Sequence, residues 1–381
     1  MANIYDYLKN MGQITFEDNP FNEIDNAILA QTSYTYFDEI VGIEQKMFTI
    51  KQVSDIYFTF HTREEVRRRS TDIAKAPILL DYLAKTQRYK YLKMGFYKNV
   101  IDLETTSQFS AICYELPHMI YIAFRGTDDT IVGWKEDFYF SFLENTESQK
   151  LSVMYTNKII EKYINKKDIH IGGHSKGGNL AVFAGAFCRQ EYQDKIKVIW
   201  NNDGPGFCKK LLEKDSYKNI KDKIYRIIPQ SSIVGLLMEY DVIPHIIKSN
   251  RIFLLQHLIN SWQIEENIFL RAENLTNEAL FIEKSLTTWL EKIPANDRKR
   301  LVDSVFSCIE NSGYETLTQL INDGIVAFKK IKLESKKLDS KDRDLIDELL
   351  NMLIEDSKDI LKARIRDRIN DVSSKLPIPY K

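Results

Sequence analysis

A chain of 381 residues with 44% hydrophobic and 28% charged side chains holds enough apolar material for a buried core, which excludes a disordered tail or a fibre. Lys and Arg together number 53 against 54 Asp and Glu, so the net charge of −1 gives no general attraction to nucleic acid or anionic lipid. Four cysteines, Cys113, Cys188, Cys208 and Cys308, are too scattered for a CxxC zinc site and too few for a disulfide scaffold, which points to a reduced, cytoplasmic setting.

In chain order, the first strong pattern spans 22–47, where Ile24, Ile28, Leu29, Tyr36 and Ile40 recur at helical spacing and predict a packed outer helix. Residues 108–124 switch to period two and then to a solid apolar run broken by Pro117, which predicts two strands, the second buried on both faces. An amphipathic helix over 148–165 follows, then a short strand at Asp168–Gly172 and a helix of small residues from Gly177. Two further strands, Lys197–Asn201 and Lys223–Ile228, flank a Lys-rich helical segment. Strands separated by helices of this length imply right-handed crossovers and a mostly parallel sheet, hence an α/β core. From about 263 to 370 the chain reads as three or four charged helices, giving a division into 1–265 and an all-helical extension, 266–381. These helices cap the core or engage a protein partner or a lipid surface. No run of about 18 uncharged apolar residues occurs, and the N-terminal residues lack the pattern of a secretion signal.

Glycine is scarce, 15 in all, yet seven of these fall between Gly172 and Gly206. There, Gly173-His174-Ser175-Lys176-Gly177 places a G-x-S-x-G between a buried strand and an Ala-rich helix. At such a bend a serine must take a strained conformation to lift its hydroxyl off the strand end, and side chains at the glycine positions would collide with their neighbours. The helix starting there turns its free N–H groups toward the reacting centre, with the N–H of Lys176 as first donor to an oxyanion. His170 and His174 are four apart on a strand and turn, which does not put them on one face as a metal pair.

Ile122-Ala-Phe-Arg-Gly-Thr127, then Trp134-x-x-Asp137, about fifty residues before GHSKGG, resembles the class 3 (fungal-type) lipases of the α/β-hydrolase superfamily. With Asn201-Asn-Asp-Gly-Pro-Gly-Phe207, Ser232-Ile-Val-Gly235 and Gln256-His257 with Ser261-Trp262, the set is more similar still to a bacterial group of lipase-like proteins of unknown function. The resemblance spans roughly 1–265 and implies an α/β-hydrolase fold. It also implies that Thr127 supplies the second oxyanion donor, with Arg125, Trp134 and Asp137 bracing that loop.

A serine hydroxyl needs a histidine base, and the base a carboxylate. His61 and His118 precede the serine, His170 lies on its strand, and His174 is its neighbour, pointing away. In this fold the base follows the nucleophile. His257, at the QH position, is preferred and His245 is in reserve. The resemblance breaks at the acid, because class 3 lipases hold an Asp where this chain has Ser232. Asp203, ending the strand after the elbow helix, is the replacement, unless it only caps the DGPG turn; Asp241 is third. The resulting expectation is a serine esterase acting on a small-molecule ester or lipid through Ser175, His257 and Asp203, with Thr127 and Lys176 as oxyanion donors and no metal or cofactor. A noncatalytic scaffold and an acyltransferase are the alternatives. The apolar stretch Ile233–Tyr240 is either a lid or core.

Overall fold

The computed structural model describes residues 2–280 apart from 70, 165 and 252, then residues 283, 295–340 and 343. The chain divides into two compact units, Met1–Lys299 and Arg300–Lys381. The larger contains one eight-stranded sheet in chain order: β1 (Met47–Thr49), β2 (Lys93–Asp102), β3 (Ser107–Glu115), β4 (Met119–Phe124), β5 (Asp168–His174), β6 (Ile196–Asn202), β7 (Ile224–Pro229) and β8 (His245–Ile247). β1 to β4 pair antiparallel, and β4 to β8 pair parallel. The four parallel pairings hold the GHSKG bend; the three antiparallel ones form a meander beside it.

All six residues of β4 are buried, as its unbroken apolar run requires. Its side chains alternate between two layers: Tyr121 and Ala123 join the core beneath the helix Glu23–Thr32, while Ile120, Ile122 and Phe124 join the core beneath Glu147–Tyr163 and Lys176–Phe187. β1 and β8 are three residues long and β2 is broken by a bulge between Gly95 and Lys98, so none offers the alternation that marks a strand in sequence.

The helix expected over 22–47 ends at Thr32 and is buried along most of its length rather than lying outside. Asn22 caps its start, its Oδ1 accepting from the N–H groups of Ile24 (2.9 Å) and Asp25 (3.1 Å). At its end the hydroxyls of Thr32 and Ser33 donate to the carbonyls of Ile28 (2.8 Å) and Ala30 (2.6 Å), satisfying the last turn locally, and no helix follows. Tyr36 and Ile40 share the spacing of the helix without sharing the helix.

The chain after 265 does not turn helical at once. Ile264–Glu265 pairs with Ile268–Phe269 across a tight turn in which Glu266 takes a φ of 54°. Helices follow at Ala295–Asn311, Leu317–Asp323 and Ile325–Ser335. The helical reading of 342–369 falls outside the described residues, Arg343 apart. Among the described residues no helix is long and apolar enough to cross a membrane, and no group of three His, Cys, Asp or Glu is placed to hold a metal.

Candidate active site around Ser175

Ser175 is the N-cap of the helix Lys176–Phe187, with φ 59° and ψ −132°. Such a backbone costs a non-glycine residue about 1–3 kcal/mol and persists only where the surroundings enforce it. They do so here. The Ser175 N–H donates to the Asn202 carbonyl at the end of β6 (3.0 Å), and a Cβ at Gly177 would collide with the carbonyl oxygen of Phe124. The bend is thus pinned between β4 and β6. Among the described residues, the backbone N–H of Lys176 and that of Thr127 find no hydrogen-bond acceptor.

Thr127 sits just past β4, its hydroxyl donating to Asp137 Oδ2 (2.5 Å) from the helix Ile131–Tyr139. Burial pushes the Asp137 carboxyl up to about 6, with the Lys176 ammonium opposing the shift. Arg125 is buried, bonded to Asn99 Oδ1 (2.8 Å) and Asp128 Oδ2 (3.3 Å). Arg125 and Asp137 therefore stiffen the loop, whereas Trp134, on the helix Ile131–Tyr139, is 38% exposed. The Lys176 side chain turns away into the core, 3.2 Å from Glu136 Oε2.

Asp203 follows β6, fully buried, with φ 53°. Its Oδ2 lies 2.7 Å from His257 Nδ1, and its Oδ1 accepts from Ser232 Oγ at 2.5 Å. Ser232, which stands at the acid's place in the class 3 pattern, accepts in turn from the Gly235 N–H (2.9 Å). A Cβ on Gly235 would strike Asp203 Oδ1, so the SIVG motif is a cradle for this carboxylate. The DGPG turn is capped instead by Asn201, whose Oδ1 accepts from the Gly204 N–H (2.9 Å).

His257 ends a 3₁₀ turn, Phe253–His257, its side chain 20% exposed. Gln256 locks that turn: its Oε1 accepts from the Ser231 N–H (3.1 Å), and its carbonyl accepts from Trp262 Nε1 (2.8 Å). Hence the QH…SW motif is the scaffold of the His257 turn. His174 does more than point away from Ser175. Its ring packs 4.3 Å from that of His257, and its Nε2 bonds the His257 carbonyl at 2.7 Å, contacts that no sequence spacing foretold.

The reserve residues lie elsewhere. His245 stacks on Tyr225 with ring centroids 4.0 Å apart, and Asp241 pairs with Lys221 (2.7 Å). His170 is half-buried beside Trp200, and desolvation lowers its pKa to about 4. The stretch 233–240 is a packed strap: Leu236 is buried with Ile228, and the Leu237 carbonyl accepts from the Gly206 N–H (2.8 Å).

A family model described as Mbeg1-like matches residues 83–307, a span containing Thr127, Ser175, Asp203, Ser232 and His257. Among solved structures, a "Crystal structure of M37 lipase" is similar at 16% identity, over 57% of this chain and 70% of that one, with a TM-score of 0.35. No curated protein matches the chain.

Proposed function

The chain belongs to the Mbeg1-like family, and from that premise and the geometry at Ser175 we propose a lipase-like serine hydrolase that cleaves carboxylic esters, of lipid or acyl-glycerol type, on an α/β-hydrolase core. One observation carries the reading: a buried carboxylate, Asp203, holds His257 through Nδ1 at 2.7 Å, while a serine in a strained elbow occupies the start of a helix. Nδ1–H bonded to a carboxylate leaves Nε2 as the free base.

In the proposed reaction Ser175 Oγ attacks the acyl carbonyl as His257 Nε2 takes its proton. The carbonyl π pair moves to oxygen, which the N–H groups of Lys176 and Thr127 and the positive end of the helix stabilise. Collapse expels the alcohol, protonated by His257; water then attacks the acyl-serine with the same base. Asp203 keeps the tautomer and offsets the imidazolium charge. The Thr127 hydroxyl, already donating to Asp137, positions the loop rather than the oxyanion.

A fluorophosphonate probe should label the wild-type protein covalently and leave Ser175→Ala unlabelled. A folded wild-type protein that resists the probe and hydrolyses no p-nitrophenyl ester of any chain length sinks the enzyme and favours the scaffold. Ser232 gives a second, smaller test. Removing its hydrogen bond to Asp203 in Ser232→Ala should lower kcat about tenfold, since a bond to a charged acceptor contributes about 1.5–3 kcal/mol, with KM unchanged.

A further inference from the structure

Tyr34 is buried just past the helix Glu23–Thr32, far from the matched family span, yet its hydroxyl reaches His174 Nδ1 at 3.0 Å. That hydroxyl has one proton. The alternative acceptor, the His174 carbonyl, is farther at 3.4 Å, so the proton goes to Nδ1. With Nδ1 accepting, the His174 ring proton sits on Nε2, which donates to the His257 carbonyl at 2.7 Å. At the other end, the Tyr34 hydroxyl packs against Gly126, where a Cβ would collide with it. Two hydrogen bonds run in series, Tyr34 O–H to His174 and His174 N–H to His257 C=O, with Gly126 packed against the Tyr34 end. These groups adjoin the oxyanion loop (Gly126 beside Thr127), the nucleophile (His174 beside Ser175) and the base.

Resting on the serine hydrolase reading above, we propose that Tyr34 and His174 are positioning residues whose two hydrogen bonds, with the packing of Tyr34 on Gly126, fix the distances between the oxyanion loop, Ser175 and His257. Neither touches substrate. The arrangement works only with a neutral His174, because a charged ring would surrender its Nδ1 acceptor and place a cation 4.3 Å from the imidazolium that forms on His257. Burial and the neighbouring His257 both hold the His174 pKa well below its ordinary value, and burial likewise raises that of Tyr34, which faces Arg125, Asp128 and Asp137.

Two substitutions at His174 separate positioning from bulk packing. Glutamine places an amide N–H near the position of Nε2 and keeps the donor to His257; asparagine keeps an acceptor for Tyr34 but falls short of His257. His174→Asn should lower kcat about 10²-fold on a p-nitrophenyl ester with KM within about twofold, the scale expected for a displaced catalytic group, and His174→Gln should recover most of it. Tyr34→Phe, which leaves His174 Nδ1 without its donor and loosens the ring, should cost about tenfold in kcat. Nitrogen-15 NMR of the histidines, independent of turnover, should find His174 as the Nε2–H tautomer and unprotonated from pH 8 to 5, and find in Tyr34→Phe the same tautomer, held by the His257 carbonyl, with the Nδ1 resonance shifted by loss of its donor. If wild type labels with the fluorophosphonate but Asn and Gln variants have equal kcat, or the variants change only melting temperature, the inference is overturned and the hydrolase stands. If wild type does not label, the hydrolase reading fails and takes the catalytic purpose of this chain with it, whatever the NMR finds.

Discussion

Asp203→Asn should lower kcat about 10⁴-fold while the protein folds and melts nearly as the wild type does. The size follows from which end of the new amide faces which neighbour. Ser232 Oγ donates to Asp203 Oδ1, so the amide oxygen of an asparagine takes that side and its NH₂ turns to His257 Nδ1. Nδ1 must then accept, the ring proton moves to Nε2, and the ring offers a donor where the proposed reaction needs a base for Ser175. Shape and burial are conserved, so stability changes little while the tautomer is wrong. Steady-state rates on a p-nitrophenyl ester, beside a thermal melt, check both halves; a loss under tenfold would mean that another carboxylate orients the base. The double variant Asp203→Asn/Ser232→Ala removes the donor that orients the amide, allows it to flip, and should be less impaired than Asp203→Asn alone.

How much of this was legible in the sequence depends on whether the constraint is local. Ser175 was legible because a strand, a bend and a helix follow each other within twenty residues and each leaves its own periodicity. The strands β3 to β7 were legible for the same reason. The helix at Glu23–Thr32 was overextended because Tyr36 and Ile40 keep the right spacing, while the stop comes from hydroxyls folding back on carbonyls, which periodicity does not see. Around the acid, sequence showed that Ser232 stands where a carboxylate was expected but not that its hydroxyl reaches Asp203 across twenty-nine positions. The contact of Tyr34 with His174 spans 140 positions, beyond any reading of spacing. The fold and the proposed nucleophile are written in neighbours along the chain, whereas the support of the proposed acid and base is written in neighbours across it.

Lys176→Met should destabilise the protein by about 3–5 kcal/mol, although the residue's only proposed catalytic group is its backbone N–H. The ammonium is buried, donating to the Gln108 carbonyl (2.9 Å) and Glu136 Oε2 (3.2 Å), with Asp137 Oδ1 at 4.0 Å. Glu136 is otherwise satisfied, taking bonds from Ser148 N–H (3.0 Å), Ser148 Oγ (2.6 Å) and Gln108 N–H (3.0 Å), so it stays buried when the lysine goes. Methionine fills the space and leaves the carboxylates without their cation. The loss is pH-dependent with a definite sign. The Asp137 carboxyl already sits up at about 6, held down by Lys176, and moves higher without it. A carboxyl whose folded-state pKa exceeds its unfolded value binds its proton more tightly in the folded state. The penalty is therefore small near pH 4, where Asp137 is protonated in the folded form of both wild type and variant, and grows as the pH rises through the folded value. Urea unfolding at pH 5 and 8 should show the larger deficit at pH 8. Adding Glu136→Leu, which removes the stranded charge, should return part of the stability. A variant that loses under about 1 kcal/mol at pH 8, or the same amount at both pH values, would mean that this ion pair does not hold the elbow helix in place.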